Sequence, residues 1–334
     1  MSSTDTWRFV HVNDHHLGTP RSYRYRPTMT ARWQGIRRQM IALEPELLLV
    51  GGDLTRDGDT HEFEYLNARE DLDTLPFPSF VIPGNMDVGN KHTDREGPRE
   101  DRSDIALNMT SERLSLFASY FGPIQWSFLH RGVHFTGFYA AVAGSGLREE
   151  ERFWRFIERL PQLPSAREHV AMMHYWPYID TPDEPSWDIT RREEYHPFYF
   201  SIDQPHRARV LEALQAAGVT VLLCGHVHTG RPVERLGAMR IYKTPAAGNT
   251  AQMTDRWPAS EMPVEARQGF QLCEVGPDGI TVTFMPAEHQ GPETGGWGPG
   301  GHPRISERDY SLAQEQPPLA PDAWLVEAEN SGGS

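Results

Sequence analysis

The chain has 334 residues, 38% of them hydrophobic, and 46 acidic against 32 basic residues give a formal charge of −14. That length can bury a sizeable core in one large α/β domain or two smaller ones. The acidic excess disfavours nucleic acid as the main partner, because a duplex-binding surface would need a local basic patch strong enough to overcome it, while a small phosphorylated substrate stays compatible.

The N-terminal MSSTDTWRFV has no apolar signal region. WRFVHV (7–12) reads as a strand and residues 30–43 as a helix. ELLLVGG (46–52) is a continuous apolar run ending in glycines, as expected of a strand buried on both faces. A helix over 60–75 and a third strand over 79–84 complete a βαβαβ order, which implies parallel strands with right-handed crossovers. A polar loop (89–104) then precedes a helix over 111–122, for which Ser111 is the candidate cap. Residues 126–138 read as a hairpin turning at Arg131-Gly132, 148–160 as an amphipathic helix and 169–174 as a strand.

The segment 177–205, rich in Pro, aromatic and charged residues, reads as a long ordered loop. A helix follows over 206–218, with Gly218 as its C′ residue, and then a buried strand over 219–225. Runs at 233–243, 268–275 and 279–285 fit an antiparallel set. Cys224 and Cys273 lie in apolar strands without metal-ligand spacing, so buried free thiols in a reducing, cytoplasmic setting are expected. No run approaches the roughly 18 apolar residues of a membrane span. The division expected is a main domain over 1–287 and a Gly/Pro-rich tail over 288–334. That tail is either flexible or extended and packed through Trp297, Trp324, Leu325 and Val326 against the body or a second copy, which leaves a homo-oligomer open.

Five short pieces concentrate metal-binding side chains, each where a strand gives way to a loop. They are NDHHLG with Asp14 and His16, GGDLTRDG with Asp53, PGNMD with Asn85, MMHYWP with His174, and CGHVHTG with His226 and His228. In an open α/β sheet, sites gather at the carboxyl ends of strands, so these residues are expected to converge. Asp14/His16 and His226/His228 are each two apart and would face one side of an extended backbone. Carboxylate oxygen with imidazole nitrogen suits Mn, Fe or Zn better than Mg or Ca, and Asp53 is the natural carboxylate to bridge two ions.

The ordered set D-x-H, G-D, G-N-x-D, H and G-H-x-H resembles the calcineurin-like metallophosphoesterase superfamily over about residues 7–285. The resemblance implies a four-layer αββα sandwich with two mixed β-sheets and two divalent ions (Mn2+, Fe2+/Fe3+ or Zn2+). By motif, Asp14, His16 and His228 would bind one ion, Asn85, His174 and His226 the other, and Asp53 would bridge. A hydroxide between the ions would then attack a phosphomonoester or phosphodiester in line with its leaving group.

The family commonly has His between the Asn and Asp of this motif, where it helps protonate the leaving group; here Met86 stands there, followed by Asp87. General-acid help is worth about 10²–10⁴ in rate, and a thioether supplies none. Either the leaving group needs no proton, or another residue serves, with His196 the first candidate and His92, Arg21, Arg24 and Tyr25 weaker ones, or the chemistry differs. Arg21 or Arg24 could also grip a substrate anion. His15 would point away from the metals. Hydrolysis is the leading expectation. A non-hydrolytic, iron-dependent oxidative reaction and a catalytically weak metal- or ligand-binding protein are the alternatives. Arg56 stands where many relatives have an acidic residue, three after the bridging Asp.

Overall fold

The computed structural model describes residues 6–19, 22, 27–98, 105–248 and 267–288. Strands β1 (Trp7–Val12), β2 (Leu48–Val50) and β3 (Ser79–Val81) alternate with helices α1 (Pro27–Ala42) and α2 (Glu62–Asp73), and pair in parallel with Val10 opposite Leu48 and Leu48 opposite Ser79. Strands β4 (Gln125–His130) and β5 (Val133–Phe138) form the predicted hairpin. Its two turn residues, Arg131 and Gly132, both have positive φ, which matches the twist of the flanking strands. Strands β6 (Glu168–Met173) and β7 (Val221–Cys224) follow β5 in parallel register.

The three C-terminal runs do not form one antiparallel set. Strands β8 (Glu234–Leu236) and β9 (Met239–Lys243) make a hairpin whose second arm lies parallel to β7. Strands β10 (Gly269–Gly276) and β11 (Gly279–Pro286) return to the first sheet, with β10 antiparallel to β1. The strand orders are β11-β10-β1-β2-β3 and β4-β5-β6-β7-β9-β8, two mixed sheets. Pattern alone could not assign these strands, because alternation records which face is buried and not which neighbour is paired.

Side-chain alternation produces the four layers. Phe9, Leu47 and Leu49 meet Phe135, Val170, Met172, Val221 and Leu223 between the sheets, where the Phe9 and Phe135 rings meet edge to face at 5.1 Å. The neighbouring residues Val10, Leu48 and Val50 face outward with Trp33, Ile36, Met40 and Tyr65 of α1 and α2. On the other outer face Ala171, Met173, Leu222 and Cys224 lie with α5 (Arg148–Arg159) and α7 (His206–Ala216). Both cysteines are free and buried. A one-turn helix, α3 (Asn85–Val88), follows β3, and helix α4 (Ser111–Phe121) is capped by Thr110, not Ser111: the Thr110 hydroxyl accepts the Arg113 N–H at 3.2 Å. Gly218, at φ 69°, ends α7 as expected. No helix among the described residues is long and apolar enough to cross a membrane. The tail beyond residue 288 lies outside the described residues.

Helix-side packing also buries His169, whose Nδ1–H donates to the Ala217 carbonyl at 3.1 Å while Nε2 faces the Thr136 hydroxyl at 2.8 Å. Burial pushes its pKa down to about 4. The folded protein therefore keeps His169 neutral while the unfolded chain gains a proton below about pH 6.5. This stabilising contribution is complete above pH 6.5 and is lost as pH falls toward 4. Denaturant titrations at pH 7 and pH 5 should show the wild type losing about 2 kcal/mol more than His169→Gln.

Candidate metal centre

Every predicted donor follows the carboxyl end of a parallel strand: Asp14 and His16 after β1, Asp53 after β2, Asn85 after β3, His174 after β6, and His226 and His228 after β7. The backbone that aims them is not extended. Asp14, His16, Asp53, His226 and His228 all have φ between 49° and 72°. For residues with a Cβ this left-handed conformation costs about 1 kcal/mol or more each, and it persists where surrounding bonds over-determine it. Here they do: Asp14 N–H donates to the Gly52 carbonyl at 2.9 Å, His16 N–H to Asp53 at 3.0 Å and Leu17 N–H to Leu54 at 2.9 Å, so the two loops continue the β1–β2 pairing. The residues two apart do reach one site, through paired left-handed turns rather than strand alternation.

The donors form two clusters that share Asp53. Asp14, His16, Asp53 and His228 make one, Asp53, His174 and His226 the other, and within each cluster one ligand atom per residue lies within 4.8 Å of the rest. In the first, His16 Nε2 and His228 Nε2 face each other at 2.9 Å, and His228 Nε2 is 3.2 Å from Asp14 Oδ1. The other Asp14 oxygen accepts from the His226 backbone N–H at 2.8 Å and from the Asn13 side chain. Burial would raise the Asp14 pKa, but the imidazoles of His228, His174 and His16 hold it well below the usual carboxylate range.

In the second cluster, backbone carbonyls decide which imidazole nitrogen carries the proton. His174 Nδ1–H donates to Gly51 at 2.8 Å, which turns Nε2 toward Asp53 Oδ1 at 3.4 Å and Asn85 Oδ1 at 3.4 Å. His226 Nε2–H donates to the Tyr199 carbonyl at 2.8 Å, leaving Nδ1 as the nitrogen for a ligand. That Nδ1 is buried and has no hydrogen-bond partner. Burial alone would lower the His174 pKa, yet Asp53, Asp14 and the Gly51 carbonyl carry it up to about 9. Burial, with His174 beside it, holds His226 well below its ordinary value. The Asp14 and Asp53 carboxylates favour positive charge beside them, and the lone pairs and carboxylates of the pocket fit divalent cations that accept both nitrogen and oxygen.

Asp87 braces the loop rather than facing the donors. Its carboxylate accepts the N–H groups of Leu54 at 3.2 Å, Thr55 at 2.9 Å and Gly84 at 2.8 Å, and the Thr55 hydroxyl at 2.7 Å. Burial, then the Asp53 charge, pushes its pKa up to about 7. Gly84 is required because a Cβ there would overlap the Asp53 carboxylate and backbone. Met86 donates its backbone N–H to Asp53 Oδ1 at 2.8 Å, and its sulfur lies 3.4 Å from Asn85 Nδ2.

His15 is buried edge-on against Trp33 with a ring separation of 4.3 Å. His196 stacks on Phe200, which itself lies against His226, so it stands one ring removed from the donors. Arg56 and Asp57 are buried, and their N–H groups donate to Glu64 Oε2 at 2.9 and 2.6 Å. His92 is exposed. Arg21, Arg24 and Tyr25 lie outside the described residues. The long segment 177–205 contains a helix, α6 (Tyr195–Phe200), that brings Tyr199 onto the second cluster. Tyr199, Asn90 and Asn13 all touch donors and were not singled out in the sequence. Only the position of Asn13 beside Asp14 could have flagged one of them.

Over residues 8–230 the sequence matches the model of a family described as calcineurin-like phosphoesterase. A search of the curated proteins gives no match. Among solved structures the chain is similar to GAP50, the anchor in the inner membrane complex of Plasmodium, at 13% identity and a TM-score of 0.53, covering 98% of this chain and 99% of that one. It is also similar to purple acid phosphatase PPD1 from seeds of yellow lupin, Lupinus luteus, at 11% identity and a TM-score of 0.52, covering 85% of this chain and 52% of that one. The chain therefore spans about half the length of the lupin enzyme, and at these identities the likeness shows the fold alone.

Proposed function

This chain belongs to the calcineurin-like phosphoesterase family, and on that basis we propose that it hydrolyses a small phosphomonoester or phosphodiester at a centre of two divalent ions. The observation that carries the reading is the sharing of Asp53 by both donor clusters. Asp14, His16 and His228 would hold one ion, Asn85, His174 and His226 the other, and Asp53 both. When bound, such ions lower the pKa of water and neutralise charge developing on phosphoryl oxygens. The mixed nitrogen and oxygen donors favour Mn, Fe or Zn.

Met86 decides the substrate class within this reading. Its thioether neither gives nor takes a proton, so a departing oxygen gains nothing from this side chain. Esters and anhydrides with good leaving groups, or substrates that carry their own acid, fit best. The apolar side chain also favours an organic group beside the phosphate.

The test is metal analysis of purified protein, followed by turnover of p-nitrophenyl phosphate and bis(p-nitrophenyl) phosphate. Two ions per chain with release of p-nitrophenol support the reading; two ions with no turnover of either ester would sink it. A second reading, non-hydrolytic oxidative chemistry at the same donors, needs no general acid at the position of Met86. Oxygen consumption by an iron-loaded sample without phosphate release would select that one.

A further inference from the structure

Tyr199 touches two of the three residues, Asn85, His174 and His226, proposed to hold the second ion beside Asp53. Its carbonyl oxygen takes the His226 Nε2–H at 2.8 Å. Its phenol oxygen lies 2.8 Å from Asn85 Nδ2 and 3.2 Å from Asn90 Oδ1, and Asn85 Nδ2 is 3.0 Å from the same Asn90 oxygen. These directions are mutually consistent: the Asn85 amide donates to Tyr199 and to Asn90, and the Tyr199 hydroxyl donates to Asn90. With its NH2 held in that triangle, Asn85 must turn Oδ1 the other way, toward His174 Nε2 at 3.4 Å. A carboxamide binds a cation only through oxygen, so its orientation decides whether Asn85 is a ligand or a repelling dipole.

Helix α6 is itself anchored. The Lys91 ammonium donates to the Ser201 carbonyl at 3.0 Å and Asp203 Oδ2 at 2.9 Å, and lies 3.7 Å over the Phe198 ring. Lys91 follows Asn90 directly, so one short stretch ties down both the acceptor of the triangle and the helix that supplies its hydroxyl.

We infer that Tyr199 is a positioning residue for the second ion alone, fixing the amide of Asn85 through its hydroxyl and the ring of His226 through its carbonyl; the inference rests on the dinuclear reading above. Outer partners of this kind typically change metal affinity by about 10–100-fold. The contacts of Tyr199 described above go to Asn85 and His226, which hold the second ion, so binding of the first ion should not respond.

The experiment titrates metal-free protein with Mn2+, reading heat by calorimetry and the loss of the free-ion signal by electron paramagnetic resonance. The wild type should bind two ions in resolvable steps. Tyr199→Phe should keep the first step unchanged and weaken the second by about 10–100-fold. Asn90→Ala, which removes the shared acceptor, should shift the same step in the same direction. A purely structural role would instead lower the melting temperature of the metal-free protein or move both steps. Two wild-type ions with an unaltered second step in Tyr199→Phe overturn this inference and leave the dinuclear reading intact. A wild type that takes up fewer than two Mn2+ overturns both.

Discussion

Replacing Asp53 by Asn should leave the protein folded and lower kcat/KM by at least about 10³-fold, ~4 kcal/mol of transition-state stabilisation. The change is isosteric, and the new carboxamide oxygen can still accept the Met86 N–H that Asp53 Oδ1 accepts at 2.8 Å. What disappears is the one negative charge placed 3.9 Å from His16 Nε2 and 3.4 Å from His174 Nε2, common to both donor groups. Both ions would lose a ligand at once, so bound metal should fall along with the rate. Kinetics on an activated aryl phosphate, with metal content and a melting curve on the same sample, would measure it. A variant with a tenth of wild-type activity and a full metal complement would rule out the shared role.

Met86→His should act in the opposite direction, and selectively. An imidazole at this position can hand a proton to a leaving oxygen, help worth about 10²–10⁴ in rate where the leaving group is poor and little where it is good. At the lower end of that range, the expected gain on an alkyl phosphate is about 10². Turnover of p-nitrophenyl esters should change by less than about threefold, since their leaving group scarcely needs the proton. Paired Brønsted plots for wild type and variant would separate the two effects. A fall in both activities would mean that the thioether, 3.4 Å from Asn85 Nδ2, assists some other reaction.

The donors could be picked out of the sequence because each closes a strand, and strands leave strong apolar signatures. ELLLVGG and VTVLLCG point to Asp53 and His226 almost by themselves. The reason they converge was less legible. Alternation along an extended chain predicts that Asp14/His16 and His226/His228 each face one side, whereas all four residues are left-handed, held by bonds between loops that no local pattern carries. Tyr199 was missed for a related reason. Its value comes from Asn85, 114 positions away, and the surrounding EEYHPFYF looks like any aromatic loop. The C-terminal strands show the same limit, since the two hairpins look alike in sequence and join different sheets.

The donor groups also have a mechanical side. Asp14, His16, Asp53 and Asn85 extend from one sheet, and His174, His226 and His228 from the other. Links already cross this seam, from His226 N–H to Asp14 at 2.8 Å, from Ala247 N–H to Asn13 at 2.9 Å, and from the Trp126 indole to Val81 at 2.8 Å. Each cation bound here would act as a rivet through both halves of the sandwich. At a free concentration of 1,000 times Kd such a rivet strengthens the folded state by about 4 kcal/mol. Chelators should therefore lower the melting temperature as well as the rate, and heat-tolerant preparations should be those that kept their metal.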